Sequence, residues 1–155
     1  MSDLENPSWI HGDKPLESID IQDYVGMVYL IVNKMNDKKY IGKKFFWSTR
    51  KLPPLKGKTR KRTKVVETDW KKYWGSSNQL QEDIKTHGTE NFERYVLRLC
   101  ETKTECAYIE CYYQMLTHSL IREDFYNDFA GGKITGRHLT YLKEELNSIT
   151  THKLL

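Results

Sequence analysis

Four residues in this sequence are of types that, held together, can hydrolyse a phosphodiester bond. Two are tyrosines eleven positions apart, Tyr29 and Tyr40; Arg50 follows ten positions later, and Glu110 lies much further on. A free phenol, with a pKa of about 10, is a poor base near neutral pH, so it can activate water only where a cation favours the phenolate. An arginine can bind a phosphate through two parallel hydrogen bonds. The set therefore predicts phosphodiester hydrolysis, provided that the fold brings these side chains together.

Glu110 is the residue best suited to bind a metal ion. It lies within the stretch 106–113, in which all of the other residues are apolar or aromatic. An ionised carboxylate in such surroundings is costly unless a cation or hydrogen-bond donors satisfy it. Mg²⁺ prefers carboxylate oxygen and keeps several of its waters, so one glutamate can anchor it. The sequence thus predicts a metal ligand; pairing with a structural arginine, or exposure to solvent, is the alternative.

A β-hairpin is predicted to position the two tyrosines. Residues 26–33 are mostly apolar and β-branched, Asn36-Asp37 suits a tight turn, and a second short run follows at 38–42. Such a pattern is typical of two antiparallel strands, which would place Tyr29 near Tyr40. The alternative is that the two rings only pack, because aromatic pairs across strands also stabilise hairpins.

Positive charge is concentrated in one segment, which indicates a polyanionic partner. Ten of the 25 basic residues, and none of the 21 acidic ones, lie between positions 43 and 66. Such segregation is an electrostatic footprint for nucleic acid. We expect a short helix that carries Arg50 and ends at Pro53-Pro54, and then an exposed, mobile loop over 51–66. The predicted nucleic-acid contacts are Lys43, Lys44, Lys56, Lys58, Arg60, Lys61, Arg62 and Lys64; a merely solvated surface is the alternative.

Length and composition predict one globular domain without a membrane segment. The chain has 155 residues, 38% of them hydrophobic, with no apolar run long enough to span a bilayer. The acidic N-terminus has no apolar core of a signal peptide, and three cysteines in apolar stretches are typical of reduced core thiols. We therefore expect a cytoplasmic protein, and the sequence does not indicate its oligomeric state. The predicted organisation is an irregular arm at 1–24, an α+β domain at 25–130 and a helical extension at 131–155.

Around the two tyrosines, Arg50 and Glu110, the chain resembles the GIY-YIG nuclease family. The motifs are Gly26-Met27-Val28-Tyr29, one residue longer than the usual form, and an unaltered Tyr40-Ile41-Gly42. The resemblance covers roughly residues 24 to 130 and is nearest to small phage-type homing endonucleases.

The resemblance implies a fold and a set of site residues. The fold is α+β, with a small, mainly antiparallel three-stranded sheet flanked by helices, here with a basic loop inserted. The activity is cleavage of DNA, most simply duplex DNA, with Mg²⁺ or Mn²⁺. Tyr29 would be the general base, Tyr40 would orient water, Arg50 would stabilise the phosphate and Glu110 would bind the metal. The family's asparagine is best matched by Asn127.

One departure from the family pattern keeps other functions open. Many members have a His or Tyr about one helical turn after the arginine, where this chain has Pro54. Either the basic insertion displaces that residue, or another such as Tyr73 takes its role. The alternatives are a nucleic-acid-binding protein that has lost catalysis on the same scaffold, and a nuclease that acts on RNA.

Overall fold

The sheet of this protein is organised around one long apolar strand, β3 (Gly26–Asn33). The computed structural model describes residues 6–130 and 134–135. Strand β3 pairs antiparallel with β4 (Lys39–Phe45) on one side and with β7 (Phe92–Cys100) on the other. Every residue of β3 except Val32 is buried. Because both faces of this central strand are covered, its sequence is continuously apolar rather than alternating.

The turn between β3 and β4 confirms the predicted hairpin. Asp37 has a φ of 59°, a left-handed conformation that Asp and Asn tolerate better than other side chains. Its amide donates to the Asn33 carbonyl oxygen at 2.8 Å. The Asn36 side-chain oxygen accepts from the Lys38 amide at 3.0 Å. These local bonds set a register in which Tyr29 lies directly opposite Gly42.

Among the described residues the main sheet has five strands, so the prediction of three was wrong. Residues expected to form an irregular arm add β1 (Trp9–His11) and β2 (Lys14–Pro15), giving the order β2-β1-β7-β3-β4. Strand β1 runs parallel to β7, more than 80 positions away in the chain. Strands of two or three residues are too short for a periodic pattern, and their pairing depends on distant contacts. The buried Trp9 anchors this edge in the core.

Two helices cover the opposite faces of the sheet. Helix α1 (Asn78–His87) packs Leu80 into the core that contains Tyr29 and Tyr40. Helix α2 (Lys103–Leu116) packs against β3, β4 and β7 on the other face, around Cys106. Each helix begins at a hydroxyl cap: Ser77 accepts from the Leu80 amide at 3.3 Å, and Thr102 from the Glu105 amide at 3.0 Å.

The basic segment is a second, two-stranded sheet, which corrects the predicted helix and mobile loop. Strands β5 (Trp47–Leu52) and β6 (Arg62–Glu67) pair antiparallel, and Arg50 lies in the middle of β5. We call residues 47–67 the ribbon. Its β-branched and aromatic residues favour extended backbone, whereas the prediction gave more weight to the charges and to the prolines. Pro53 follows the end of a strand, not the end of a helix.

The described part of the chain ends with a pair of two-residue strands. Strands β8 (Phe129–Ala130) and β9 (Ile134–Thr135) pair antiparallel. Apart from 134–135, the predicted C-terminal helical extension at 131–155 lies outside the described residues. Within the part that the structure describes, no helix is long and apolar enough to cross a membrane.

Arg94 is a buried charge that joins the N-terminal segment to the rest of the fold. Its side chain is only 1% exposed and its guanidinium lies 4.5 and 4.2 Å from the ring centroids of Trp9 and Trp74. The guanidinium donates to three backbone carbonyl oxygens, those of Pro7, Lys71 and Tyr73. Burial lowers the Arg94 pKa to about 10, which still leaves the group charged at neutral pH.

Replacing Arg94 with methionine should destabilise the protein by about 3 kcal/mol or more, because three buried carbonyls lose their donor. For a chain of this size the melting temperature should fall by roughly 10 °C. Arg98→Met is the matched control on the same strand, since Arg98 is half exposed and forms a surface ion pair with Glu105. Thermal unfolding followed by circular dichroism measures both variants. Equal melting temperatures for the two would contradict the structural role.

Candidate active site

A cleft of about 900 Å³ lies along the β4 edge of the main sheet and is lined by four of the five predicted catalytic residues, Tyr29, Tyr40, Glu110 and Asn127. Strand β4 forms its floor, helix α2 one wall, and the segment 73–79 another. The chemistry-bearing side chains that line it are Tyr29, Tyr40, Lys43, Tyr73, Glu110 and Asn127. Among the described residues, Lys43 is the one Lys or Arg on the cleft wall.

Three tyrosines form a cluster at the base of the cleft. The Tyr29 ring centroid lies 6.2 Å from that of Tyr40 and 6.1 Å from that of Tyr73, the second pair edge-to-face. The Tyr40 hydroxyl is 3.0 Å from the Ser76 hydroxyl. Tyr73, named from the sequence as a replacement for the residue missing at Pro54, is therefore beside Tyr29. Its catalytic role remains a prediction.

The glycine of the second motif is required by the close approach of Tyr29. A Cβ atom at Gly42 would lie 2.4 Å from the Tyr29 hydroxyl oxygen and 2.7 Å from the adjoining ring carbon. No Cβ tolerates such contacts, so any other residue would displace the phenol. Gly75 plays a similar part on the opposite wall, since its φ is +82° and a Cβ there would meet the Tyr40 ring at 2.9 Å. Both glycines leave room for the tyrosines.

Burial shifts the pKa values of the two motif tyrosines upward. Tyr29 is 1% exposed, and desolvation raises its pKa well above 10, with the neighbouring Tyr40 and Tyr73 adding to the shift. Desolvation also raises the pKa of Tyr40, against a lowering by its hydrogen bond to Ser76. Both phenols are therefore protonated at neutral pH. Either could serve as a base only with a cation in the cleft, which would favour the phenolate.

Glu110 projects from α2 into the cleft and pairs with Lys43. The Lys43 ammonium donates to the Glu110 carboxylate at 3.2 Å, with the glutamate side chain 17% exposed. The partner is a lysine of the motif strand, not the structural arginine considered from the sequence. An ammonium on a flexible, partly exposed stem can move off the carboxylate when another cation arrives.

Gln114 is a cleft residue that the sequence analysis missed. It lies one helical turn after Glu110 on α2 and is 4% exposed. Its amide nitrogen donates to the Ile41 carbonyl oxygen at 3.2 Å, and among the described residues its buried side-chain oxygen has no hydrogen-bond partner. An orphaned acceptor is costly and suggests a missing donor or cation. A glutamine four positions after the glutamate was the available signal, but an amide on a helix has many structural uses.

The cleft walls fit a divalent cation of the Mg²⁺ type. The Glu110 carboxylate and the Gln114 side-chain oxygen are hard oxygen atoms on one helix face, and Asp128 adds a second carboxylate to the lining. Within the described ranges, no cluster of three His, Cys, Asp or Glu side chains occurs. Mg²⁺ does not need one, because it keeps several waters and binds through one or two carboxylates.

Asn127 holds the motif strand in place through two hydrogen bonds. Its side-chain oxygen accepts from the Ile41 amide at 3.0 Å, and its nitrogen donates to the Ile41 carbonyl oxygen at 2.7 Å. The outward-facing backbone groups of Ile41 on this edge strand are thereby satisfied. Asn127 lines the cleft, as expected, but both of its polar groups are engaged by the backbone. A direct part in catalysis stays a prediction.

Arg50 and most of the basic residues lie outside the cleft. Arg50 is exposed on the ribbon and is not among the cleft-lining residues. The Lys44 ammonium pairs with the Asp69 carboxylate at 2.9 Å and lies 4.3 Å from the Tyr73 ring centroid. The remaining predicted nucleic-acid contacts are exposed on the ribbon: Lys56, Lys58, Arg60, Lys61, Arg62 and Lys64.

A comparison with protein-family models assigns this cleft to a known domain. The family described as "Putative endonuclease segE, GIY-YIG domain" matches residues 9–129, a span that includes every element of the cleft. It also includes β1, which the motif resemblance alone did not cover. No curated protein and no solved structure gives a significant match.

Proposed function

The chain belongs to the GIY-YIG endonuclease family, and from that premise we propose that it is a metal-dependent endonuclease that hydrolyses the phosphodiester bonds of duplex DNA. The observation that carries the proposal is that Tyr29, Tyr40 and Glu110 line one cleft, together with Lys43. A homing-type role, in which the enzyme cuts at a long recognition site, is the finer form of this proposal.

Glu110 would hold the cation, with Mg²⁺ or Mn²⁺ as the ion. A divalent cation in this position supplies charge to neutralise the phosphate and acidifies water. The orphaned side-chain oxygen of Gln114 would accept a hydrogen bond from a water that enters with the ion. This arrangement would give partners to both oxygen-bearing side chains of α2 and would release Lys43 from its ion pair.

The tyrosines would handle the attacking water. Tyr29 would accept its proton, and Tyr40, oriented by Ser76 at 3.0 Å, would hold the water in line with the phosphorus. Tyr73, against the Tyr29 ring, is placed to hydrogen-bond the phenol as it loses its proton. The buried position of Tyr29 keeps bulk water away from the reacting atoms.

Lys43 would stabilise the scissile phosphate in this chain, since Arg50 lies on the ribbon. It is next to Gly42 in the motif strand, and its ammonium already points into the cleft toward Glu110. Charge that grows on the phosphate in the transition state is stabilised by a nearby cation, and the exchange at Glu110 would free the Lys43 ammonium for this contact. Arg50 is then available for binding the duplex.

Cleavage assays on supercoiled plasmid, single-stranded DNA and RNA test the proposal. With Mg²⁺ the plasmid should be nicked or linearised, EDTA should stop the reaction, and added Mn²⁺ should restore it. Cleavage of RNA alone would make the protein an RNA nuclease. Binding without cleavage under all of these conditions would support the non-catalytic alternative.

Lys43→Met should lower the maximal cleavage rate by about 10- to 100-fold, the scale of one lost charge-assisted contact in the transition state. It should also reduce the Mg²⁺ concentration needed for half-maximal activity, because the ion would no longer compete with an ammonium for Glu110. Both numbers come from rates measured across a Mg²⁺ titration. Lys39→Met, on the same strand outside the cleft, is the control. An unchanged Mg²⁺ requirement would argue against the exchange.

A further inference from the structure

The ribbon is a pair of extended strands with little of its surface covered by the rest of the protein. Residues 48–51 of β5 and 62–65 of β6 are all exposed. A lone two-stranded hairpin is marginally stable in water, so exposed strands of six residues each, about 20 Å long, are unusual without a partner. The surface is available to a ligand on either face.

The two faces of the ribbon differ sharply in charge. In the register of the pair, Arg50 lies opposite Lys64, and Arg62 lies opposite Leu52, two positions along each strand. Because side chains alternate between faces, Arg50, Arg62 and Lys64 share one face. The other face carries Thr49, Thr63 and Val65. In the exposed parts of the two strands, 48–51 and 62–65, its one cation is Lys51.

The base of the ribbon is fixed to the protein core next to the cleft. Phe46 is fully buried just before β5, and the Thr68 amide donates to its carbonyl oxygen at 2.8 Å. The Trp47 indole nitrogen donates to the Tyr24 carbonyl oxygen at 2.9 Å. In the chain, the ribbon leaves directly after the motif strand and returns just before Tyr73. Its direction is therefore set by the same elements that form the cleft.

We propose that the ribbon enters the major groove of duplex DNA with its Arg50–Arg62–Lys64 face toward the bases, so that it both selects duplex substrate and positions the cleft. The proposal rests on the proposed function in taking DNA as the substrate. The major groove of B-DNA, about 12 Å wide, admits a two-stranded ribbon. The major groove of duplex RNA is too deep and narrow for this contact, and a single strand has no groove at all.

The chemistry of the face suits base edges in that groove. An arginine can donate two hydrogen bonds to the O6 and N7 acceptors of guanine. Arg62 is partly oriented already, because its Nε donates to the Pro53 carbonyl oxygen at 3.3 Å. The basic residues of the tip, Lys56, Lys58, Arg60 and Lys61, extend beyond the paired strands and would contact phosphates on either side of the groove.

The sharpest test compares two substitutions with the same change of charge on opposite faces. The assay is a duplex-binding titration by fluorescence anisotropy without divalent cation. Affinity should fall by about tenfold for each substitution on the proposed DNA face: Lys64→Gln, Arg50→Gln and Arg62→Gln. Lys51→Gln should weaken it by less than about threefold, the effect expected of a cation outside the groove. Unchanged melting temperatures would show that all four variants fold. Equal losses for Lys51→Gln and Lys64→Gln would overturn the assignment of one face to the DNA.

The groove itself is tested by altering the duplex. Replacing guanine with 7-deazaguanine removes a major-groove acceptor, so it should weaken binding of the parent protein, and the loss should be smaller for Arg50→Gln and for Arg62→Gln. A minor-groove ligand such as netropsin should not compete. Competition by netropsin, with no effect of 7-deazaguanine, would place the ribbon elsewhere.

The result for the ribbon is separable from that for catalysis. Duplex binding that depends on the Lys64 face, without any cleavage, would refute the proposed function and leave the ribbon assignment standing. If the parent cleaves normally and all ribbon variants bind and cut like it, the ribbon assignment is refuted and the proposed function stands.

Discussion

Glu110→Gln should reduce DNA cleavage by about a thousandfold or more while duplex binding stays nearly unchanged. Neutralising the carboxylate removes the anionic ligand for the cation, and losing several kcal/mol of transition-state stabilisation costs about three orders of magnitude in rate. The fold should survive, because glutamine keeps the shape of the side chain and the Lys43 partner is 35% exposed and can turn to water. Single-turnover cleavage with Mg²⁺, paired with a binding titration, measures both quantities.

Glu105→Gln is the matched control for this substitution. Glu105 lies on the same helix, but its carboxylate pairs with the half-exposed Arg98 at 2.7 Å, away from the cleft. It should cleave within a few-fold of the parent. If Glu110→Gln retained full activity, Glu110 would be merely the partner of Lys43 and the metal assignment would be lost.

Tyr29→Phe should lower the cleavage rate by about two orders of magnitude or more, the usual scale for removing a general base. The ring keeps its contacts with Trp9 and Tyr40, at centroid distances of 4.9 and 6.2 Å, so the substitution isolates the hydroxyl. Tyr40→Phe should cost less, because that hydroxyl only orients water. Tyr24→Phe, outside the cleft, should leave the rate unchanged.

The pH dependence of the rate gives this prediction a second readout. Burial raises the pKa of Tyr29, so the phenolate is the minor form at neutral pH and its population grows with pH. The rate of the parent should therefore rise about tenfold per pH unit while the phenol remains mostly protonated, and level off once it is ionised. Tyr29→Phe should lose this rise. An active Tyr29→Phe with the parent's pH profile would return both motif tyrosines to a packing role.

Several elements of the site could be predicted because their causes are local. The β3–β4 hairpin follows from a short apolar pattern and from Asn36-Asp37, whose turn is closed by bonds within five positions. The capping hydroxyls of Ser77 and Thr102 act within three positions. The glycine of the second motif is also explained once the hairpin exists, since the register puts it opposite Tyr29.

The predicted helix over Arg50 was wrong for a different reason. The resemblance to the family placed an arginine on a helix at that spacing, and Pro53-Pro54 appeared to end such a helix. Whether the residues after Phe45 form a helix or a strand depends on a partner strand, β6, about 15 residues later in the chain. Arg50 consequently lies on the ribbon, and Lys43 is the cation that reaches Glu110.

Residue types at short spacing are enough to identify the family, the hairpin that carries both tyrosines, the glutamate of α2 and the concentration of positive charge. Tertiary structure alone decided which of these groups meet. Lys43 reaches Glu110 across 67 positions and Asn127 binds Ile41 across 86, and β1 completes the sheet from outside the motif region. Such contacts form only when the sheet and the helices pack together. A local sequence pattern does not indicate which distant side chains that packing brings into contact.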